Sequence, residues 1–143
     1  MKYPLIAAIA ALSFVSPAFA DGDVAKGEKE FGKCKSCHMV VAPDGTEIVK
    51  GGKTGPNLYG VMGRVAGSAD FKFGQSIKDA GAKGLVWDAE NFEDYVQDPA
   101  KFLSEYLSKA DGKEVKAKSS MTFKLKKGGE DIAAWLTSVA PAN

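Results

Sequence analysis

The sequence predicts an all-α fold in one small domain, and three observations carry that reading. Ile132, Trp135, Leu136 and Val139 repeat at the spacing of a single helix face near the C-terminus. Phe92, Tyr95 and Val96 do the same behind Asp88, a residue suited to cap a helix, with Pro99 placed to end it. No segment alternates apolar and polar residues over the length of a strand.

Taken in chain order, residues 1–20 read as a cleaved export signal. Lys2 is a short positive start, Leu5 to Val15 is an apolar run, and Ser16-Pro17-Ala18-Phe19-Ala20 offers small residues for cleavage before Asp21. That run is too short for a membrane span, which needs about 20 apolar residues. The mature domain is then 21–143. Val24 to Lys33 is rich in Lys, Glu and Ala and reads as a helix. A glycine-rich region follows, with turns at Pro43-Asp44-Gly45 and Gly51-Gly52. A short helix is expected near Phe73 to Ala80, another after Asp88, a third over Ala100 to Ser108, and the last over Glu130 to Val139. There are no internal repeats.

The chain has 19 Lys and Arg against 18 Asp and Glu, and the leader removes one lysine. A balance near zero gives no general pull toward nucleic acid or membrane. The charges are nevertheless segregated. Asp88, Glu90, Glu93, Asp94 and Asp98 form an acidic stretch, while Lys113, Lys116, Lys118, Lys124, Lys126 and Lys127 surround Met121.

The chemistry concentrates in Cys34-Lys35-Ser36-Cys37-His38, which holds both cysteines and the one histidine of the chain. A disulfide between Cys34 and Cys37 would close too small a loop to staple a fold. A thioredoxin-like dithiol would follow a strand, and the segment before Cys34 reads as helix. A structural zinc site needs four ligands, whereas Cys and His together number three. The remaining reading is covalent haem attachment, for which C-x-x-C-H is the signature. Two thiols at this spacing can form thioethers with two porphyrin vinyl groups, and the next residue, His38, can then bind the iron.

With a single histidine, the opposite iron ligand must be methionine, lysine, water or nothing. Met1 leaves with the leader, and Met39 follows His38 too closely. Met62 and Met121 remain. Met62 sits among apolar residues, where packing accounts for it. Met121 lies in a Lys- and Ser-rich loop with no core to fill, so ligation explains it better. A thioether ligand favours reduced iron and raises the potential.

With these residues placed, the chain resembles a class I c-type cytochrome of the bacterial cytochrome c2 group. The resemblance runs through Gly22-Asp23-Val24-Ala25-Lys26-Gly27, Phe31, Thr54-Gly55-Pro56-Asn57-Leu58, Gly63-Arg64, Trp87, Tyr95, Ile132, Trp135 and Leu136. It implies crossing N- and C-terminal helices, with short helices and loops wrapped around one covalent haem c. Gly27 would let those helices approach, and Phe31 would meet Trp135. The resemblance implies that the Pro56 carbonyl orients His38, that Arg64 and Trp87 contact a haem propionate, and that Tyr95 lies beside Met121. Phe73 departs from the tyrosine of many relatives, and Ala42–Gly52 and Leu103–Ser119 are longer than in the shortest members.

The implied function is a monomeric periplasmic one-electron carrier, not an enzyme. Its implied partners are membrane electron-transfer complexes: a quinol–cytochrome c oxidoreductase as donor, and a photosynthetic reaction centre or terminal oxidase as acceptor. They would dock on a lysine-rich face around the haem edge. A haem enzyme or gas-binding protein with an open sixth site, and a haem-free thiol or metal module, are the competing readings.

Overall fold

The computed structural model describes residues 22–140; the leader read over residues 1–20 lies outside them. Helix α1 (Val24–Glu30) starts where the Asp23 carboxylate accepts from the Lys26 amide at 3.0 Å. It tightens into a 3-10 turn at Phe31–Lys33 that delivers Cys34, so the single helix expected over Val24–Lys33 has two parts.

The last helix, α5 (Gly129–Val139), crosses α1 and buries Ile132, Trp135 and Leu136. The crossing turns on Gly27, which is buried. A β-carbon there would lie 2.8 Å from the Trp135 Cβ and nearer still to the Asp131 carbonyl. Phe31 meets Trp135 with ring centroids 4.7 Å apart. The Asp131 carboxylate also accepts from the Asp23 amide at 2.7 Å, tying the two helix starts together. Helix α5 has no side-chain cap of its own at Gly128; Glu93, from another helix, accepts from the Glu130 amide at 2.7 Å.

Between these helices lie α2 (Gln75–Ala82), α3 (Ala89–Gln97) and α4 (Pro99–Asp111). Helix α2 starts two residues later than expected, because Gly74 is extended and the Phe71 and Phe73 rings pack edge-on before it. Asp88 caps α3 as expected. Asp98 caps α4, with Pro99 in its first turn, and Gly112 ends it at φ 65°. The fold is all-α apart from one small hairpin. Strands β1 (Val40–Val41) and β2 (Glu47–Val49) form an antiparallel hairpin, with Val40 opposite Val49. Two and three residues with an irregular register are too short to show alternation. A second pairing sets Arg64 beside Trp87: the Trp87 amide donates to the Arg64 carbonyl at 3.0 Å, and the Ala66 amide to the Leu85 carbonyl at 2.9 Å.

Two predictions follow from these contacts. Gly27→Ala gains about 1 kcal/mol of helix propensity, but overpacking against the α5 backbone should cost about 3 kcal/mol, for a net loss of about 2 kcal/mol in denaturant unfolding. Asp98 caps α4 and pairs with Lys124 at 2.6 Å. The Lys124 hydrogen bond, with that of the Lys101 amide, holds its carboxyl below the usual 3.8. Its contribution is therefore complete above 3.8 and is lost as pH falls through the lower folded value. The stability gap between the wild type and Asp98→Asn should close as pH falls through that window, as read from urea midpoints.

Candidate functional site

Cys34, Cys37, His38, Pro56, Arg64, Trp87, Tyr95 and Met121 all line one cavity of about 400 Å³. Its walls are continuous with the core: Leu58, Val61, Phe92, Val96 and Leu103 are buried and face it too. A concave, mostly apolar space of roughly 300–1,000 Å³ with a few converging polar groups is the usual form of a cofactor site. Met62 packs, partly buried, against the core and does not line the cavity, nor does Met39.

The histidine wall is built by backbone contact. The His38 Nδ1 lies 2.8 Å from the Pro56 carbonyl, which can only accept, so Nδ1 carries the proton. Burial lowers the affinity of the ring for a second proton, with the Pro56 carbonyl pulling weakly the other way. The neutral ring therefore keeps its lone pair on Nε2, ready for a metal. Gly55 lies flat against the imidazole: a β-carbon there would sit 2.7 Å from Nδ1 and 2.8 Å from Nε2. The two thiols differ. Burial pushes Cys34 up to about 11, while hydrogen bonds from the Thr54 and Ser36 side chains pull the exposed Cys37 down.

The loop carrying Pro56 is held by two side chains. Asn57 accepts from the Val41 and Tyr59 amides, each at 3.1 Å, and donates to the Val41 carbonyl at 2.7 Å. Arg64 donates to the Tyr59 and Asn57 carbonyls, each at 3.2 Å. The guanidinium expected to serve a propionate thus braces the loop with two of its five N–H groups while facing the cavity. Burial lowers its pKa.

Also in the cavity wall, Trp87 is 6% exposed and packs against Tyr95 with centroids 4.9 Å apart. Burial raises the Tyr95 phenol pKa, and the Ser119 hydroxyl pulls it back. Ser119 also accepts from the Met121 amide at 3.1 Å, placing Tyr95, Ser119 and Met121 together. Among the described residues, no buried side-chain nitrogen or oxygen lacks a partner.

Sequence reasoning missed Ser119, the bracing by Asn57, and the part of Lys72 in the cavity lining. Asn57 lay within the quoted loop motif, but its partner Val41 belongs to a hairpin of which the sequence showed only the turn at Pro43-Asp44-Gly45 and not the strands. The position of Lys72 depends on the extended approach to α2.

The imidazole, the thioether of Met121 and two adjacent thiols around an apolar cavity suit a haem held covalently at one edge. No protein-family model matches the chain. It is 60% identical to the cytochrome c2 of Rhodobacter capsulatus over 141 residues, 97% of this chain and 98% of that one. It is 57% identical to the cytochrome c-551 of Roseobacter denitrificans over 136 residues, 94% of each. The solved structure of the Rhodobacter capsulatus cytochrome c2 superposes with a TM-score of 0.77, covering 82% of this chain and 98% of that chain. The chain therefore belongs to the cytochrome c2 family, whose members are electron carriers with one covalently attached haem c and not enzymes.

Proposed function

We propose that residues 1–20 are removed on export and that residues 21–143 act in the periplasm. In this reading His38 and Met121 are the two iron ligands, and Cys34 and Cys37 the points of covalent attachment. Support comes above all from the His38–Pro56 hydrogen bond, which frees Nε2 toward a cavity that Met121 also lines. When bound, the haem supplies an iron that alternates between ferrous and ferric states.

The chain's own residues fix that centre. Pro56 and Gly55 hold the imidazole plane. Trp87 and Arg64 close the cavity on the side expected to take a propionate, where a buried carboxylate needs a donor. Leu58, Val61 and Leu103 exclude water, so little solvent reorganises with the charge. A thioether and an imidazole as the two protein ligands would favour the ferrous state.

The wild type should show a methionine–iron charge-transfer band. Met121→Ala should abolish it, admit carbon monoxide, and lower the potential by a sizeable part of the roughly 0.8 V spanned by axial ligands. Met62→Ala should change none of these, and the reverse pattern would reassign the ligand.

Docking is the second part of the proposal. A quinol–cytochrome c oxidoreductase is the proposed donor, and a reaction centre or terminal oxidase the proposed acceptor. Lys33, Lys72 and Lys118 line the cavity. Lys33 pairs with Glu30, whereas Lys124 is drawn aside to Asp98. None of the acidic residues Asp88, Glu90, Glu93, Asp94 or Asp98 lines the cavity. An acidic partner would therefore meet the lysine-bearing rim first. Lys118→Glu should slow second-order electron transfer with such a partner severalfold or more near 0.01 M salt, where charges act over about 30 Å. The effect should fade near 0.15 M, where they act over about 8 Å. Glu90→Lys should have little effect, and equal sensitivity at both sites would remove the lysine rim from the docking face.

A further inference from the structure

Between the end of α4 and Leu125 the chain has no helix or strand, yet its amides are satisfied in a regular way. The Val115 amide donates to Ser108 Oγ at 2.8 Å and the Ala117 amide to Ser104 Oγ at 2.9 Å. Ser104 in turn donates to the Ala100 carbonyl at 2.7 Å, which orients its lone pairs outward from the helix. Ser104 and Ser108 are four residues apart on α4, about 6 Å along a helix. Val115 and Ala117 are two apart on extended chain, about 6.6 Å. The spacings match, so one face of α4 receives the segment as the edge of a sheet would receive a strand. Serine is an indifferent helix former, and two of them mid-helix with hydroxyls given to another segment point to a positioning role.

The segment also alternates like a strand. Val115, Ala117, Ser119 and Met121 are half-buried, while Lys116, Lys118 and Ser120 are exposed. Met121 is in phase with the two residues tied to α4. Met121 packs against the core, whereas Ser120 reaches the cavity only at its exposed edge, and a slip of one residue would put the Ser120 hydroxyl where the thioether packs.

We infer that Ser104 and Ser108 are positioning residues for Met121, setting the register that turns its thioether into the cavity. This rests on the reading of Met121 as an iron ligand. In the same register Lys116 and Lys118 are exposed, Lys118 at the edge of the cavity, with its amide donating to Ser76 Oγ of α2 at 3.1 Å.

The test uses the ferric holoprotein and imidazole as a competing ligand. Ser104→Ala/Ser108→Ala should bind imidazole roughly thirtyfold more tightly, the size expected for losing two neutral hydrogen bonds. It should also weaken the charge-transfer band and speed hydrogen exchange at the Val115 and Ala117 amides. Ser104→Thr/Ser108→Thr, which keeps the hydroxyls, should restore all three. Ser138→Ala removes a hydroxyl bonded within α5 to the Trp135 carbonyl and should leave imidazole binding unchanged. A double-alanine variant that unfolds more readily yet binds imidazole as the wild type does would overturn the inference, leaving the serines a purely stabilising part. A wild type without the band, or a Met121→Ala variant that keeps it, would instead overturn the ligand reading on which the inference rests.

Discussion

The site depends on the hydrogen bond from His38 to the Pro56 carbonyl. It fixes the tautomer, and with it the nitrogen left free to bind metal. The bond requires the loop to approach closely, and a run of glycines permits that. A β-carbon at Gly52 would run into the Ser36 carbonyl, next to Cys37, and one at Gly55 would enter the imidazole. The same loop hangs from Asn57 on the hairpin and from Arg64, whose carbonyl receives the Trp87 amide. One chain of contacts thus runs from the imidazole to the indole, both in the cavity wall.

The cavity and the core are made of the same residues. Leu58, Val61, Phe92, Val96 and Leu103 are buried and also form its walls. A domain of this size has little apolar surface to spare, and a covalently held apolar group adds mass where the side chains leave space. Fold stability and cofactor retention are coupled through those side chains, so a volume change at Leu103 acts on both.

How much was legible in the sequence followed the range of the interactions. The helices were legible because their signals are local: Asp88 before a helical run, Pro99 at the break that follows it, and the stripe from Ile132 to Val139. The attachment motif and the one histidine narrowed the site chemistry within five residues. The meeting of Phe31 with Trp135 across Gly27 came from the family resemblance, and the ring geometry agrees. The hairpin was hidden because its strands are too short to alternate. The bracing role of Arg64 was hidden because its acceptors are backbone carbonyls, which leave no mark on side-chain pattern. The Lys- and Ser-rich segment around Met121 read as an irregular loop, because its alternation makes sense only against the hydroxyls of a helix preceding it.

The two walls of the cavity are therefore secured in different ways. The His38 wall is locked by backbone contact with glycines that tolerate no side chain, so it can move only if the whole loop moves. The Met121 wall is held by serine hydroxyls on one side, and by the Leu125 amide on the Val96 carbonyl at 2.7 Å and the Lys124–Asp98 pair on the other. Neutral hydrogen bonds contribute about 1 kcal/mol each, and an exposed ion pair less. Such attachments can open one at a time, whereas interlocked backbone cannot. With His38 as the proposed iron ligand, an electron carrier gains little from a mobile histidine, whose loss would change the iron's character entirely. A methionine side able to relax on its own leaves the potential sensitive to the surroundings of the loop that bears the lysines. The side of the fold proposed to meet a partner is thus the side with the lower cost of adjustment.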